Sequence, residues 1–123
     1  MVEDPHVPDG GDVVWLAFGP RAGHEQAGRR PALVLSPRAY NRKADLALVC
    51  PITSKEKGYP FEVALPATGR VMGVILADLI KRLDWRVRRA AFAARTSTSV
   101  LGEVLDKLEV LLGRRRRVSG GLL

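Results

Sequence analysis

The first two thirds of the chain are written in short apolar runs separated by turn residues, and the last quarter in a helical repeat. Asp12 to Phe18, rich in Val, Trp and Phe, has the composition of a strand. The segment Gly19-Pro20-Arg21-Ala22-Gly23-His24 breaks it. A second strand is expected from Arg30 or Pro31 to Leu35. Pro31 cannot donate to a ladder, so it marks the start of that strand or an edge. Ser36-Pro37 stops the run, and Tyr40 to Asp45 reads as a polar connection. Leu46 to Ile52 is apolar almost throughout, the pattern of a strand covered on both faces. Thr53 to Pro60 reads as a loop, Phe61 to Leu65 as a short strand, Pro66 to Met72 as a turn and Gly73 to Ala77 as another strand. Residues 79–83 and 90–94 offer two more, joined by the basic segment Asp84-Trp85-Arg86-Val87-Arg88-Arg89.

The period then changes. Leu101, Val104, Leu105, Leu108, Leu111 and Leu112 recur at spacings of three and four, which places them on one face of a helix. Thr98 or Ser99 can cap its start and Gly113 can close its end. Five to seven short strands followed by one helix predict a mainly β domain with a C-terminal helix. Its sheet should be a small, twisted or barrel-like antiparallel one, covered by that helix. The 123 residues suffice for one compact domain. The expected division is a flexible leader over 1–10, the domain over 11–113 and a basic disordered tail over 114–123.

Composition narrows the function. With 46% hydrophobic and 27% charged residues, the chain reads as soluble and globular. A formal charge of +7 favours an anionic partner, nucleic acid ahead of a membrane surface or an acidic protein. The bland alternative is a solvated basic surface. Cys50 is the one cysteine, so neither an intramolecular disulfide nor a cysteine metal motif is available. Its neighbours Leu48, Val49 and Pro51 mark it as a packed thiol. No signal peptide is legible, and no apolar run approaches the roughly 20 residues of a membrane span. The cytoplasm is the expected compartment, with no membrane partner.

Glu25-Gln26-Ala27-Gly28-Arg29-Arg30-Pro31 carries the most chemical information. Two arginines sit where a glycine-containing loop becomes a buried strand, with a carboxylate and an amide just before them. A guanidinium there is well shaped for a phosphate. Pro51-Ile52-Thr53-Ser54-Lys55-Glu56-Lys57-Gly58-Tyr59-Pro60 offers hydroxyls and a lysine that can face the same anion. Together they point to chemistry on a phosphodiester.

Gly11-Asp12-Val13-Val14-Trp15, the Glu25 to Ala32 segment, Leu35-Ser36-Pro37, Tyr40-Asn41, Pro51-Ile52-Thr53-Ser54 and Lys57-Gly58-Tyr59-Pro60-Phe61-Glu62-Val63 closely resemble the MazF/PemK family. These are the toxins of type II toxin–antitoxin systems. The resemblance runs in order over residues 8 to 113. It implies an SH3-like or CcdB-like antiparallel β-barrel with a C-terminal helix. It also implies a homodimer that cuts single-stranded RNA, mRNA in particular, at short motifs and so blocks translation. Neither a metal nor another cofactor is implied. A cognate MazE-like antitoxin is expected to cover the active groove and to provide the only route to operator DNA. Family cleavage leaves a cyclic phosphate.

Metal-free cleavage uses the ribose 2′-hydroxyl as its nucleophile, which spares DNA. It needs a proton acceptor, stabilisation of the phosphorane charge and a proton for the leaving oxygen. Arg30 matches the family's catalytic arginine. Because arginine stays protonated at working pH, it is assigned as charge stabiliser rather than base. Thr53 matches the catalytic threonine. Glu25 is either the general base or a salt bridge that positions an arginine. Gln26, Arg29, Ser54, Lys57 and Asp78 are the candidate RNA contacts. Arg29 stands where some relatives carry histidine, and Leu79 where the residue after Asp78 is often glutamine. His24 reads as a loop residue. Trp15 and Phe18 are either core or base-stacking aromatics, and Trp85 is expected at an interface. Arg114 to Arg117 either adds nonspecific phosphate binding or keeps the chain soluble. The rival reading is a protein of the same fold that only binds: a CcdB-like topoisomerase poison or a nucleic-acid-binding regulator.

Overall fold

The computed structural model describes residues 6–17 and 28–113. Chain order is β1 (Asp12–Ala17), β2 (Arg29–Val34), α1 (Arg38–Ala44), β3 (Leu46–Thr53), β4 (Glu62–Thr68), β5 (Val71–Leu76), β6 (Lys81–Asp84), β7 (Ala91–Arg95) and α2 (Thr98–Leu111). The expected small antiparallel barrel is realised as one curled sheet in the order β4-β5-β3-β2-β1-β7, with β6 also on β3. Its ends approach at the β4–β5 turn. A Cβ at Gly69 would stand 3.3 Å from the Ala94 Cβ.

Both faces of the central strands are covered, which is why β3 shows no alternation of apolar and polar residues. On the inner face, Val13, Leu33, Cys50, Ile52, Val63 and Ile75 pack against Val100, Val104 and Leu108 of α2. On the outer face, Val14, Leu16, Ala32, Val34 and Val49 pack beneath Trp85, with Val7, Leu83 and Ala90 at the rim. Trp85 is buried there and donates its Nε1–H to the carbonyl of Asn41, so it is core rather than interfacial.

Two prolines end two ladders. Leu35 donates its N–H to the Leu48 carbonyl, and amide direction alternates along a strand. Pro31 therefore turns toward β3 with no N–H to give, and the β2–β3 pairing stops at Ala32↔Pro51. Pro51 itself falls where the other edge of β3 changes partner, between Val49↔Lys81 and Ile52↔Ile75. The expectation for Pro31 holds locally: β2 is internal to the sheet, but among the described residues it has no partner on one side there.

Several expectations change. Tyr40 to Asp45 is no loop; most of it lies in α1. That helix lacks an apolar stripe and a side-chain cap. It is held instead by Asn41, fully buried, which donates Nδ2–H to the carbonyls of Pro8 (2.8 Å) and Ser36 (2.9 Å). The turn expected over Pro66 to Met72 is shorter, because β4 runs on to Thr68 and β5 begins at Val71. Pro66 is tolerated because β4 is an edge strand. Ser97, not Thr98 or Ser99, caps α2 by accepting from Val100 N–H. Only part of the expected leucine face meets the core: Leu105, Leu111 and Leu112 are 41%, 44% and 77% exposed. Of the expected leader, residues 1–5 lie outside the described residues, whereas Pro8 is buried and Asp9 accepts from Gly10 N–H and Arg38 N–H. The basic tail also lies outside them.

Candidate active site

Where the β2–β3 ladder ends, a cavity of about 460 Å³ opens. Arg29, Arg30 and Pro31 line it from β2, Ile52 and Thr53 from the end of β3, and Ser54 and Lys55 from the loop that follows. Arg70, Val71 and Met72 complete it from the β4–β5 hairpin, and Trp15 from β1. Continuing the β2–β3 register two positions beyond its last pair sets Arg30 opposite Thr53. The two residues share a face by construction. Arg30 is exposed, while Arg29 and Thr53 are half-buried.

Four cationic side chains, Arg29, Arg30, Lys55 and Arg70, line the cavity, and among the described residues no carboxylate does. Among the described residues neither Arg29 nor Arg30 is held in an ion pair. Unpaired guanidinium groups converging on a cavity bind an anion through charge and through paired N–H donors. Thr53 Oγ1 accepts the Lys55 N–H at 3.1 Å. That bond occupies an acceptor site and leaves the hydroxyl proton available for a bound phosphate. Behind Thr53 the backbone is tight. Gly73 has φ +134°, and a Cβ there would stand 2.2 Å from the Thr53 carbonyl oxygen. A larger residue at 73 would push Thr53 out of place.

The structure thus brings Arg29, Arg30, Thr53 and Ser54 together. Glu25 and Gln26 lie outside the described residues, as do Phe18 and His24. Lys57 and Asp78 are exposed and do not line the cavity. Asp78 instead lies near Cys50. Burial, aided by the Asp78 charge, pushes that thiol up to about 12, so Cys50 is a packed core residue. Trp15 packs against the inner core and also lines the cavity. Sequence reasoning missed Arg70 and Lys55. Lys55 lay in a segment already singled out. The sign of Arg70 was its place in a Gly-Arg turn, visible only once β4 and β5 form a hairpin.

A family model described as the PemK-like, MazF-like toxin of type II toxin-antitoxin systems matches residues 9–112. The chain belongs to this family. It is similar to the endoribonuclease toxin MazF of Escherichia coli strain K12, 46% identical over 108 residues covering 88% of this chain and 96% of that one. It is also similar to the endoribonuclease PemK of Escherichia coli, 34% identical over 106 residues, 83% of this chain and 80% of that one. A solved MazE-MazF structure from Deinococcus radiodurans superposes with a TM-score of 0.81 at 54% identity, covering 90% of this chain and 100% of that one. A mycobacterial endoribonuclease solved with its cognate antitoxin shares the fold, with a TM-score of 0.71 at 20% identity over 92% of this chain. For this member of the MazF family, the cavity between β2 and β3 lies within the matched region.

Proposed function

We propose that this chain is the toxin of a type II toxin–antitoxin pair and cuts single-stranded RNA, with the Arg30–Thr53 cavity as its active site. The observation that carries the site assignment is the meeting of four unpaired or exposed cations with a threonine hydroxyl where the β2–β3 ladder stops. The scissile phosphate sits between Arg30 and Thr53. The neighbouring ribose 2′-oxygen attacks phosphorus, and the 5′-oxygen of the next nucleotide leaves with a proton taken from solvent water, giving a cyclic phosphate and a free 5′-hydroxyl. The Arg30 fork binds two non-bridging oxygens and stabilises their growing charge, a contribution that is larger in the transition state than in the ground state. Thr53 donates its hydroxyl proton to the same group. Glu25 takes the proton from the 2′-hydroxyl. Arg29, Lys55 and Arg70 hold flanking phosphates, and Gln26, Ser54, Lys57 and Asp78 contact the RNA beyond the reacting centre. Trp15 offers a ring edge or face to a base. No metal enters these steps.

A MazE-like antitoxin covers the cavity, and operator DNA is reached only through it. The active form is a homodimer. An apolar groove of about 670 Å³ between α2 and the Leu35–Tyr40 segment, lined by Leu35, Tyr40, Leu48, Ile80, Leu105 and Leu112, supports that assembly. Among the described residues no helix is long and apolar enough to cross a membrane, and cytoplasmic mRNA is the substrate. The binding-only alternative is not favoured, since relatives at 46% and 34% identity are named endoribonucleases. The test is a long single-stranded RNA incubated with the purified protein in excess EDTA. Cleavage should proceed, and a 2′-deoxy substitution at the mapped cut site should stop it. An intact RNA, or equal cutting of the deoxy substrate, refutes the reading.

A further inference from the structure

The loop from Ser54 to Pro60 carries part of the cavity wall, yet every residue in it is exposed. Nothing in its composition holds it still: it contains Ser, two Lys, Glu and Gly, and it forms no ladder. Its shape depends on a few tethers. The Glu62 carboxylate, at the start of β4, accepts the Gly58 N–H at 2.9 Å and the Lys57 N–H at 3.1 and 3.2 Å. Gly58 supplies the left-handed turn that aims both amides at it, with φ +79°. Glu62 N–H in turn donates to the Tyr59 carbonyl at 3.1 Å. Farther along, Lys107 Nζ of α2 donates to the Pro60 carbonyl at 2.7 Å. Glu62 is itself fixed by the β4–β5 ladder, opposite Leu76. The chain therefore leaves the sheet at Thr53 and is caught again at Glu62, with the catalytic threonine at one end and a carboxylate clamp at the other.

We propose that Glu62 is a positioning residue for RNA cleavage, holding the 54–60 loop so that Ser54 and Lys55 present themselves to the RNA beside Thr53. Glu62 does not line the cavity and touches no reacting atom. Its action passes through the backbone of Lys57 and Gly58, where charge-assisted hydrogen bonds are about twice as strong as neutral ones. Releasing the loop costs order that RNA binding must then restore, so the loss falls on binding. The kinetic part of this proposal rests on the RNA-cleaving reading above; the structural part does not.

The test compares the full-length wild type with Glu62→Gln and Glu62→Ala on one RNA oligonucleotide, alongside amide hydrogen exchange of the free toxins. For Glu62→Ala, exchange at Lys57 and Gly58 should quicken about tenfold and KM rise about tenfold, while kcat stays within about twofold. Glu62→Gln keeps an acceptor oxygen and the strand register, so it should lie between. A fall in kcat at constant KM would place Glu62 in the chemistry and overturn the proposal. Unchanged exchange at the two amides overturns the clamp, and faster exchange with unaltered KM overturns its role in binding. If the wild type cuts no RNA, the cleavage reading fails, and the exchange data still decide the clamp.

Discussion

Strand β1 has an arginine site at each end, and the two are built in opposite ways. At the Asp12 end, Arg95 is satisfied. Its Nη1 lies 2.8 Å from Asp12 Oδ1 and 4.0 Å from Asp9 Oδ2. Asp12 is 1% exposed and also accepts from His6 Nε2–H at 3.0 Å and Asp9 N–H at 2.9 Å. His6 rests on Phe92, with ring centroids 5.1 Å apart. At the Ala17 end, Arg29 and Arg30 pair with β1 through their backbone only, and their side chains face an open cavity. The same residue type is a structural cross-link where a carboxylate meets it and lines an open cavity where, among the described residues, none does. Sequence cannot make that distinction, because Asp12 and Arg95 stand 83 positions apart.

The contrast can be broken at either end. Arg30→Ala should lower kcat by about 10²–10³-fold, the range seen when one charge-stabilising donor is removed. Its urea midpoint should stay at the wild-type value. A variant that cleaves at the wild-type rate would move the reacting phosphate away from Arg30. At the other end, Asp12→Ala should cost about 2–3 kcal/mol of stability, since three donors lose a buried, charged acceptor. Its rate per folded molecule should not change. Lost activity in the folded variant would show that the two ends are coupled. Arg70→Ala should have the smallest effect. The slope of log binding against log salt for a single strand should fall by about 0.7, one phosphate contact, with the cut sites unchanged. An unaltered slope would remove Arg70 from the RNA path.

Much of the fold was legible because its signals are local. The Val-rich and Leu-rich runs of β1 to β3 have strand composition, and the stripe through Val104 and Leu108 has helical spacing. The misses come from tertiary contacts. Helix α1 exists because Asn41 finds Pro8, Ser36 and, through its carbonyl, Trp85. Pro8 and Trp85 lie 33 and 44 positions from Asn41, too far to leave a periodic sign. Trp85, set among arginines, read as an interface residue, yet it closes the outer core. At the cavity, Arg30 and Thr53 were readable from the family pattern, and Arg29 from the arginine pair at the start of a strand. Arg70 was not, since only the pairing of β4 with β5 carries it to them.

Among the described residues no strand pairs with β2 on its β3 side from Arg29 to Pro31, and a bare edge is a template on which a foreign strand can add. Pro31 offers such a strand no amide hydrogen, so the template is defective at its centre. A segment entering the cleft must be captured by side chains and not by backbone zippering. That protects the cleft from self-association through an unsealed seam.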